Sequence, residues 1–389
     1  MGFEYCLVFG AWDLELSIAM KYLIIYASAG AGHRKAAEAV YEALLERVDE
    51  KDIEKIDSLD YTNRLFKWFY ARKYITLVNY MPHVWGFFYY LFDNWFVYKL
   101  LWLPRRVTNA LNCGQFEKFI LKVNPEAVIS THFMANEVVS RLKQKGRINC
   151  KLFSVVTDYR IHSFWVAPYV DRYFVASERT KADLSGWGIF DDKISVTGIP
   201  ISSKFSLKLD KNALANKFGL DTGIFTALII GGGFGVGPVE ELVQKIGALK
   251  LNAQFLIVCG YNKDLLEKIN VLKQSLGLKA MVYGFVDNVH ELMSLSNVLV
   301  TKSGGLTSSE AMAKGLATIF VKPIPGQEKR NSNVLQLANA AVIAKNVDEA
   351  RKKIKEIYED PELLHKMSNA ANKMAKPDSA RDVVNIICT

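Results

Sequence analysis

The chain has 389 residues, half of them hydrophobic, and its 49 lysines and arginines outweigh 40 aspartates and glutamates for a formal charge of +9. That length exceeds what one core usually serves and predicts two domains, and the apolar content excludes disorder as the main state. The positive balance permits an anionic partner without choosing among nucleic acid, membrane and phosphate. Five scattered cysteines, Cys6, Cys113, Cys150, Cys259 and Cys388, form no CxxC pair, so neither a disulfide framework nor a thiolate metal site is indicated and a reducing cytoplasm fits best.

Residues 1–19 carry Glu4, Asp13 and Glu15 and no lysine or arginine, the wrong charge order for a secretory signal, and read as an extension or a mis-set start. From residue 20 to 200, short apolar runs alternate with helical patterns. Tyr22–Ala27, Ala127–Ser130, Leu152–Thr157, Tyr173–Ala176 and Ile194–Thr197 are candidate strands, too uniformly apolar to have a wet face and so expected in a buried parallel sheet. Residues 201–212 read as a linker. The same grammar returns in a second domain, 213–360, with Thr226–Ile230, Gln254–Val258, Met281–Tyr283, Val298–Thr301, Thr318–Val321 and Val342–Ala344. Residues 361–389 read as terminal helices. Two doubly wound α/β domains follow, with a site in the cleft between them at the carboxyl ends of the strands.

Residues 61–110 break the rhythm. They hold 17 aromatic residues, among them Trp68, Trp85, Phe88, Trp95 and Trp102, and a charge of +6 from Arg64, Lys67, Arg72, Lys73, Lys99, Arg105 and Arg106 against Asp93. Within them the run Tyr74–Phe92, 19 residues without an acid, lysine or arginine, has the length of a membrane span. Asn79, Pro82, His83 and Gly86 interrupt it, and its flanks mix rings with cations, which is how a segment lying in the headgroup region is built. An interfacial surface is therefore the leading expectation, with an aromatic subdomain packed on the sheet, or a span, as the alternatives. Nucleic acid is not expected: the run Trp85–Phe92 is more apolar than a single strand requires.

Three glycine-bearing loops follow strands and open helices. Ala27-Ser28-Ala29-Gly30-Ala31-Gly32-His33-Arg34 leads into a helical run from Lys35, and free amides at that helix start favour an anion and a neutral imidazole at His33, which otherwise caps or packs. Gly231-Gly232-Gly233-Phe234-Gly235-Val236-Gly237-Pro238 does not satisfy GxGxxG, so dinucleotide binding is unsupported, and a phosphate role and plain turn geometry stay open. Lys302-Ser303-Gly304-Gly305-Leu306-Thr307-Ser308-Ser309-Glu310 brings amides and hydroxyls together where a diphosphate could lie, with Glu310 a turn further on for ribose hydroxyls; helix capping is the plainer alternative. Pro325-Gly326-Gln327-Glu328 ends a rigid turn in two side chains suited to sugar hydroxyls.

In order and spacing these segments, with Val156-Thr157-Asp158-Tyr159, Val196-Thr197-Gly198-Ile199-Pro200 and Gly284-Phe285-Val286-Asp287-Asn288, resemble the monogalactosyldiacylglycerol synthase and processive diacylglycerol glucosyltransferase family over residues 20–375. The resemblance implies a GT-B fold. It implies UDP-hexose in the C-terminal domain: Phe285 and Val286 at the uracil, Gly304, Gly305, Leu306 and Thr307 at the diphosphate with Gly233 nearby, Glu310 at the ribose, and Gln327 and Glu328 at the hexose. The N-terminal domain would take diacylglycerol, with Gly32 and His33 beside its hydroxyl, His33 as base and Asp158 orienting it. Trp68, Arg72, Lys73, Trp85, Phe88, Trp95, Arg105 and Arg106 would meet an anionic membrane from its cytoplasmic face, as a peripheral protein. Ala29 and Ala31 stand where many relatives have glycine. No HExxH or ordered ligand set appears, so no metal or other cofactor is expected. The alternatives are a UDP-sugar transferase acting on another lipid and a non-catalytic surface protein on the same scaffold.

Overall fold

The strands of each half are apolar on both faces because each sheet lies between two helical layers. The computed structural model describes residues 21–28, 30–63, 67, 77, 81–232 and 237–389, excluding the side chains of residues 102, 103, 105, 106, 109 and 110. The N-terminal sheet holds β1 (Tyr22–Tyr26), β2 (Ile53–Asp57), β3 (Ala127–Ser130), β4 (Lys151–Val155), β5 (Arg172–Val175) and β6 (Ile194–Val196), in the order β2-β1-β3-β4-β5-β6. The C-terminal sheet holds β7 (Phe225–Ile230), β8 (Ala253–Val258), β9 (Ala280–Tyr283), β10 (Val298–Thr301), β11 (Ala317–Val321) and β12 (Ala341–Ala344), in the order β12-β11-β10-β7-β8-β9. Every pairing is parallel. The second order is that of a dinucleotide-type doubly wound sheet, whose crevice opens between its first and fourth strands, here β7 and β10.

The N-terminal half contributes α1 (Ala31–Leu45), α2 (Pro82–Phe92), α3 (Trp95–Asn112), α4 (Gly114–Val123), α5 (Phe133–Gln144) and α6 (Glu178–Gly186). The C-terminal half contributes α7 (Lys211–Phe218), α8 (Val239–Gly247), α9 (Lys263–Ser275), α10 (Val289–Leu295), α11 (Gly305–Ala313), α12 (Gln327–Leu337), α13 (Val347–Glu359) and α14 (Pro361–Met374). The last helix, α15 (Ser379–Ile387), returns to the first domain, where Ala380, Val383, Val384 and Ile387 bury against Tyr22, Ile24, Ala37 and Val40. The two terminal helices thus serve different cores, since Ala371 of α14 packs with Leu299 and Phe320 of the second domain.

The strand missing from the sequence reading is β2, Ile-Glu-Lys-Ile-Asp, an edge strand that buries only its two isoleucines and so lacks a continuous apolar run. Helix α1 starts at Ala31, earlier than the predicted Lys35, which places His33 inside its first turn.

Among the described residues the aromatic insert forms two consecutive helices, α2 and α3, and no helix is long and apolar enough to cross a membrane. Part of it, including Trp68, Arg72 and Lys73, lies outside the described residues. Helices α2 and α3 leave Phe87, Phe88, Trp95, Phe96, Leu100 and Leu111 exposed.

Candidate active site

The carboxyl ends of β1 and β3 meet at the turn of their sheet, and His33 sits there. Its Nδ1 lies 2.7 Å from the Thr131 carbonyl and 3.0 Å from Thr157 Oγ1. A carbonyl only accepts, so Nδ1 carries the proton and Nε2 keeps its lone pair. His132 stacks edge-on against the ring at 4.8 Å and spends its own Nδ1 capping α5 through the Met134 amide. Burial lowers the His33 pKa, opposed by the Asp158 charge and the Thr131 bond, so the imidazole is neutral at neutral pH.

Asp158 is not the group that orients this ring. Its Oδ1 accepts from Gln327 Nε2 at 2.6 Å and from Asn331 Nδ2 at 3.1 Å, both on α12 across the cleft. Burial raises the Asp158 pKa while those two amides pull it back. Asn331 is fully buried and saturated: it also donates to the Ser303 carbonyl at 3.2 Å and accepts from the Tyr159 amide at 2.9 Å. A polar bridge therefore joins the strand end that carries Asp158 to the helix that carries Gln327 and Glu328.

Opposite α1 stands the start of α11. Both helices are preceded by a glycine, Gly30 and Gly304, with no side-chain cap, so their first-turn amides are left for something else. The serines of the third loop do not cap α11: Ser303 Oγ donates to the Glu328 carbonyl at 2.7 Å, and Ser309 Oγ pairs with the Tyr159 hydroxyl at 2.9 Å. The two helix starts abut, since a Cβ built on Gly32 would stand 3.9 Å from Leu306 Cβ. A Cβ on Gly305 would stand 2.1 Å from the Thr157 carbonyl, an approach that any other residue would forbid.

Farther along α11, Glu310 has no hydrogen-bond partner for its carboxylate among the described residues, and burial pushes its pKa up to about 8. Glu328 is also pushed up by burial, and its Oε2 accepts from the Ile324 amide at 3.1 Å. Phe285 is exposed and stacks on Tyr261 with centroids 4.3 Å apart and planes 11° from parallel. Val286 is half-buried against the cluster containing Leu292 and Leu299, and Thr307 faces partly to solvent in the first turn of α11. Gly233 lies outside the described residues.

The sequence profile described as "Monogalactosyldiacylglycerol (MGDG) synthase" matches residues 33–201, and that of "Glycosyl transferases group 1" matches residues 211–374. A processive diacylglycerol beta-glucosyltransferase of Bacillus cereus (strain G9842) is 30% identical over 377 residues, 94% of this chain and 93% of that protein. A namesake from Bacillus mycoides (strain KBAB4) is 34% identical over 272 residues, 69% of each chain. The chain belongs to this glycosyltransferase family. Its fold is the family's GT-B fold: Acinetobacter baumannii MurG superposes with a TM-score of 0.60 at 16% identity over 95% of this chain and 99% of that one. A Staphylococcus aureus MnaA structure, solved with UDP, gives 0.60 at 17% identity over 94% and 95%.

Sequence reasoning about this glycosyltransferase missed Thr131, Thr157 and Asn331. Thr131 had a local signal, the polar Ser-Thr-His that ends an apolar strand. Asn331 had none, because Asp158 and Tyr159 lie about 170 residues away in sequence. Of the expected membrane-facing residues, Phe88 is 40% and Trp95 58% exposed, while Trp85 is half-buried, 5.9 Å from the Tyr89 ring. Arg105 and Arg106 occupy the middle of α3.

Proposed function

We propose that this enzyme transfers a hexose, glucose or galactose, from a UDP-sugar to diacylglycerol at an anionic membrane surface, inverting the anomeric carbon to give a β-glycolipid. The observation that carries the reading is a neutral imidazole on α1, oriented through Nδ1 and with no hydrogen bond at Nε2 among the described residues, set against the uncapped amides of α11. The relatives' names supply the acceptor and favour glucose.

The chemistry needs two things on either side of the anomeric carbon. The acceptor hydroxyl attacks that carbon as His33 Nε2 takes its proton, and the bond to the UDP oxygen breaks. Negative charge gathering on the leaving diphosphate falls on the amides of Gly305, Leu306 and Thr307, which reorganise little during the step. Glu310 meets the ribose, Phe285 and Val286 the base, and Gln327 and Glu328 the hexose. Asp158 acts on His33 through its charge, favouring the imidazolium that forms. No metal or other cofactor enters this scheme.

For the lipid, α2 and α3 offer exposed rings, and beside them lies an apolar hollow walled by Phe92, Tyr98, Leu101, Pro104, Thr108 and Phe164, of a character to hold acyl chain. The protein would work as a peripheral one on the cytoplasmic face. Incubating it with vesicles of diacylglycerol and anionic lipid and labelled UDP-glucose or UDP-galactose tests the reading: label is expected in β-linked glycolipid. Label appearing only with another lipid would replace the acceptor, and none with any lipid would remove the activity.

A further inference from the structure

Helix α2 has two unlike faces. At 100° per residue, Gly86, Tyr89, Tyr90 and Asp93 fall on one side, and Val84, Phe87, Phe88 and Leu91 on the other. The outer side is apolar, and Val84, Phe87 and Phe88 on it are exposed. The inner side lies against the turn that precedes α12. A Cβ on Gly86 would come within 2.4 Å of Pro325 Cβ, so the helix touches that turn along its backbone. Gly326 holds a φ of 103°, and a Cβ there would run into the Tyr89 ring at 2.9 Å. Its amide donates to the Tyr90 hydroxyl at 3.3 Å.

Arg330, one turn into α12, closes this contact. Its Nη2 pairs with Asp93 Oδ2 at 2.5 Å, its Nη1 donates to the Ile161 carbonyl at 2.9 Å, and its guanidinium lies 5.1 Å and 5.3 Å from the ring centroids of Tyr89 and Tyr90. Asp93 is held in turn, since its Oδ1 accepts from the Ser163 amide at 2.6 Å. His162 Nε2 meets the Tyr89 carbonyl at 3.0 Å, and Ser163 Oγ donates to the Phe92 carbonyl at 2.9 Å. The pair is largely buried, with 19% and 13% of the side chains exposed, so neither charge is left to water if its partner goes. Gln327 and Asn331, the residues that reach Asp158, flank Arg330 on the same helix.

We propose that Arg330 is a positioning residue that clamps α2 onto the turn 323–328, so that Gln327 and Glu328 reach their arrangement for the donor hexose only while α2 is seated. The proposal rests on the transferase reading above and adds a consequence to it: the helix with the exposed apolar face is also one wall of the donor-sugar site. The clamp touches neither the diphosphate amides nor the outer face of α2. Its loss weakens the hold on the sugar of UDP-hexose and leaves UDP itself and vesicle attachment alone.

The test compares wild type with Arg330→Ala, Asp93→Ala, the double variant, Arg330→Lys and Tyr90→Phe. Each alanine variant is expected to raise the KM for UDP-hexose by about tenfold or more, with UDP affinity and sedimentation with anionic vesicles within about twofold of wild type. The double variant is expected to be no worse than the poorer single, the mark of one shared interaction. Arg330→Lys keeps the charge and loses the fork, and falls between. Tyr90→Phe, which removes the hydroxyl that accepts from the Gly326 amide, is expected to raise that KM about threefold. Amide exchange over residues 323–331 of the unliganded proteins reads the clamp without turnover and is expected to quicken in both alanine variants. Unchanged donor KM and unchanged exchange, or strictly additive losses, overturn the clamp. A wild type that transfers no sugar while exchange still responds counts against the transferase reading and for the clamp.

Discussion

Helices α1 and α11 begin alike, and the proposed reaction places them at its opposite ends. Each follows a parallel strand at the turn of its sheet, each has a glycine before it, and neither has a side-chain cap. On α1 the first turn carries an imidazole fixed by Thr131 and Thr157, and burial favours its neutral form, as the proposed base requires. On α11 the first turn carries Gly305, Leu306 and Thr307 with no side-chain cap, so in the proposed reaction the amides themselves are the functional groups. An uncapped helix start is thus a neutral device, and in the proposed reaction the side chain placed in it decides whether it serves a proton or a phosphate.

Replacing that side chain is the strongest way to break the contrast. His33→Ala is expected to lower kcat by about 10³-fold, the usual range for a general base, and to leave UDP affinity within about twofold. Titrating UDP into the variant separates the roles; equal loss of binding and turnover would make His33 structural. Next comes the seam between the two helix ends. Gly305→Ala puts a methyl against the Thr157 carbonyl and wedges the domains apart, with an expected fall of about 100-fold in kcat/KM, ~2.7 kcal/mol. Steady-state kinetics on vesicles measure it, and a variant at wild-type efficiency would show that the seam is not needed for turnover.

The basic residues of the insert are expected to give a smaller effect of another kind. Replacing Arg105 and Arg106 together is expected to weaken binding to anionic vesicles by about 30-fold at low salt, near 1 kcal/mol per charge, with the difference shrinking as salt rises. Sedimentation at two ionic strengths checks both parts.

Asp158→Asn sharpens the account of the base. Because burial lowers the His33 pKa and transfer needs the neutral ring, activity is expected to persist below pH 6.5 and to fall only as pH drops through the lowered value. Asp158 raises that value, so the asparagine variant should move the acid limb to still lower pH while losing about tenfold in kcat, ~1.4 kcal/mol. A limb that does not move in the pH–rate profile would mean that the carboxylate does not act on His33.

The smallest effect is expected at Glu310. Below its pKa of about 8 the carboxyl is protonated in the unliganded protein, and Gln replaces it at little cost; above it, the carboxylate accepts from hydroxyls that Gln holds less well. The affinity ratio for UDP between wild type and Glu310→Gln should open from near unity at pH 6.5 to about fivefold at pH 9. Calorimetry at the two values checks it, and a flat ratio would take Glu310 off the ribose.

The same contrast explains what could be read in advance. Strands β1 and β10, buried over almost their whole length, announced themselves as apolar runs, and the loops that follow them stood out as small and polar against that background. Strand β2 buries two of its five residues and gave no such signal. His33 and Glu310 are legible because each stands close behind the small, polar loop that opens its own helix, although the threonines that fix His33 lie 98 and 124 residues away. The partners of Asp158 are not, since a carboxylate at a strand end looks the same whether it turns to His33 or to Gln327 and Asn331 across the cleft. The insert was legible as two-sided chemistry, aromatic and basic, but its break into α2 and α3 and its grip on Arg330 depend on packing against another domain.

The central claim is that the amides opening α11 hold the diphosphate of a uridine nucleotide. Calorimetric titration of UDP into the intact protein tests it most directly. One site per chain is expected, with uridine alone binding at least about tenfold more weakly because it leaves those amides empty. No heat with UDP at millimolar concentration, or equal affinity for UDP and uridine, would contradict it.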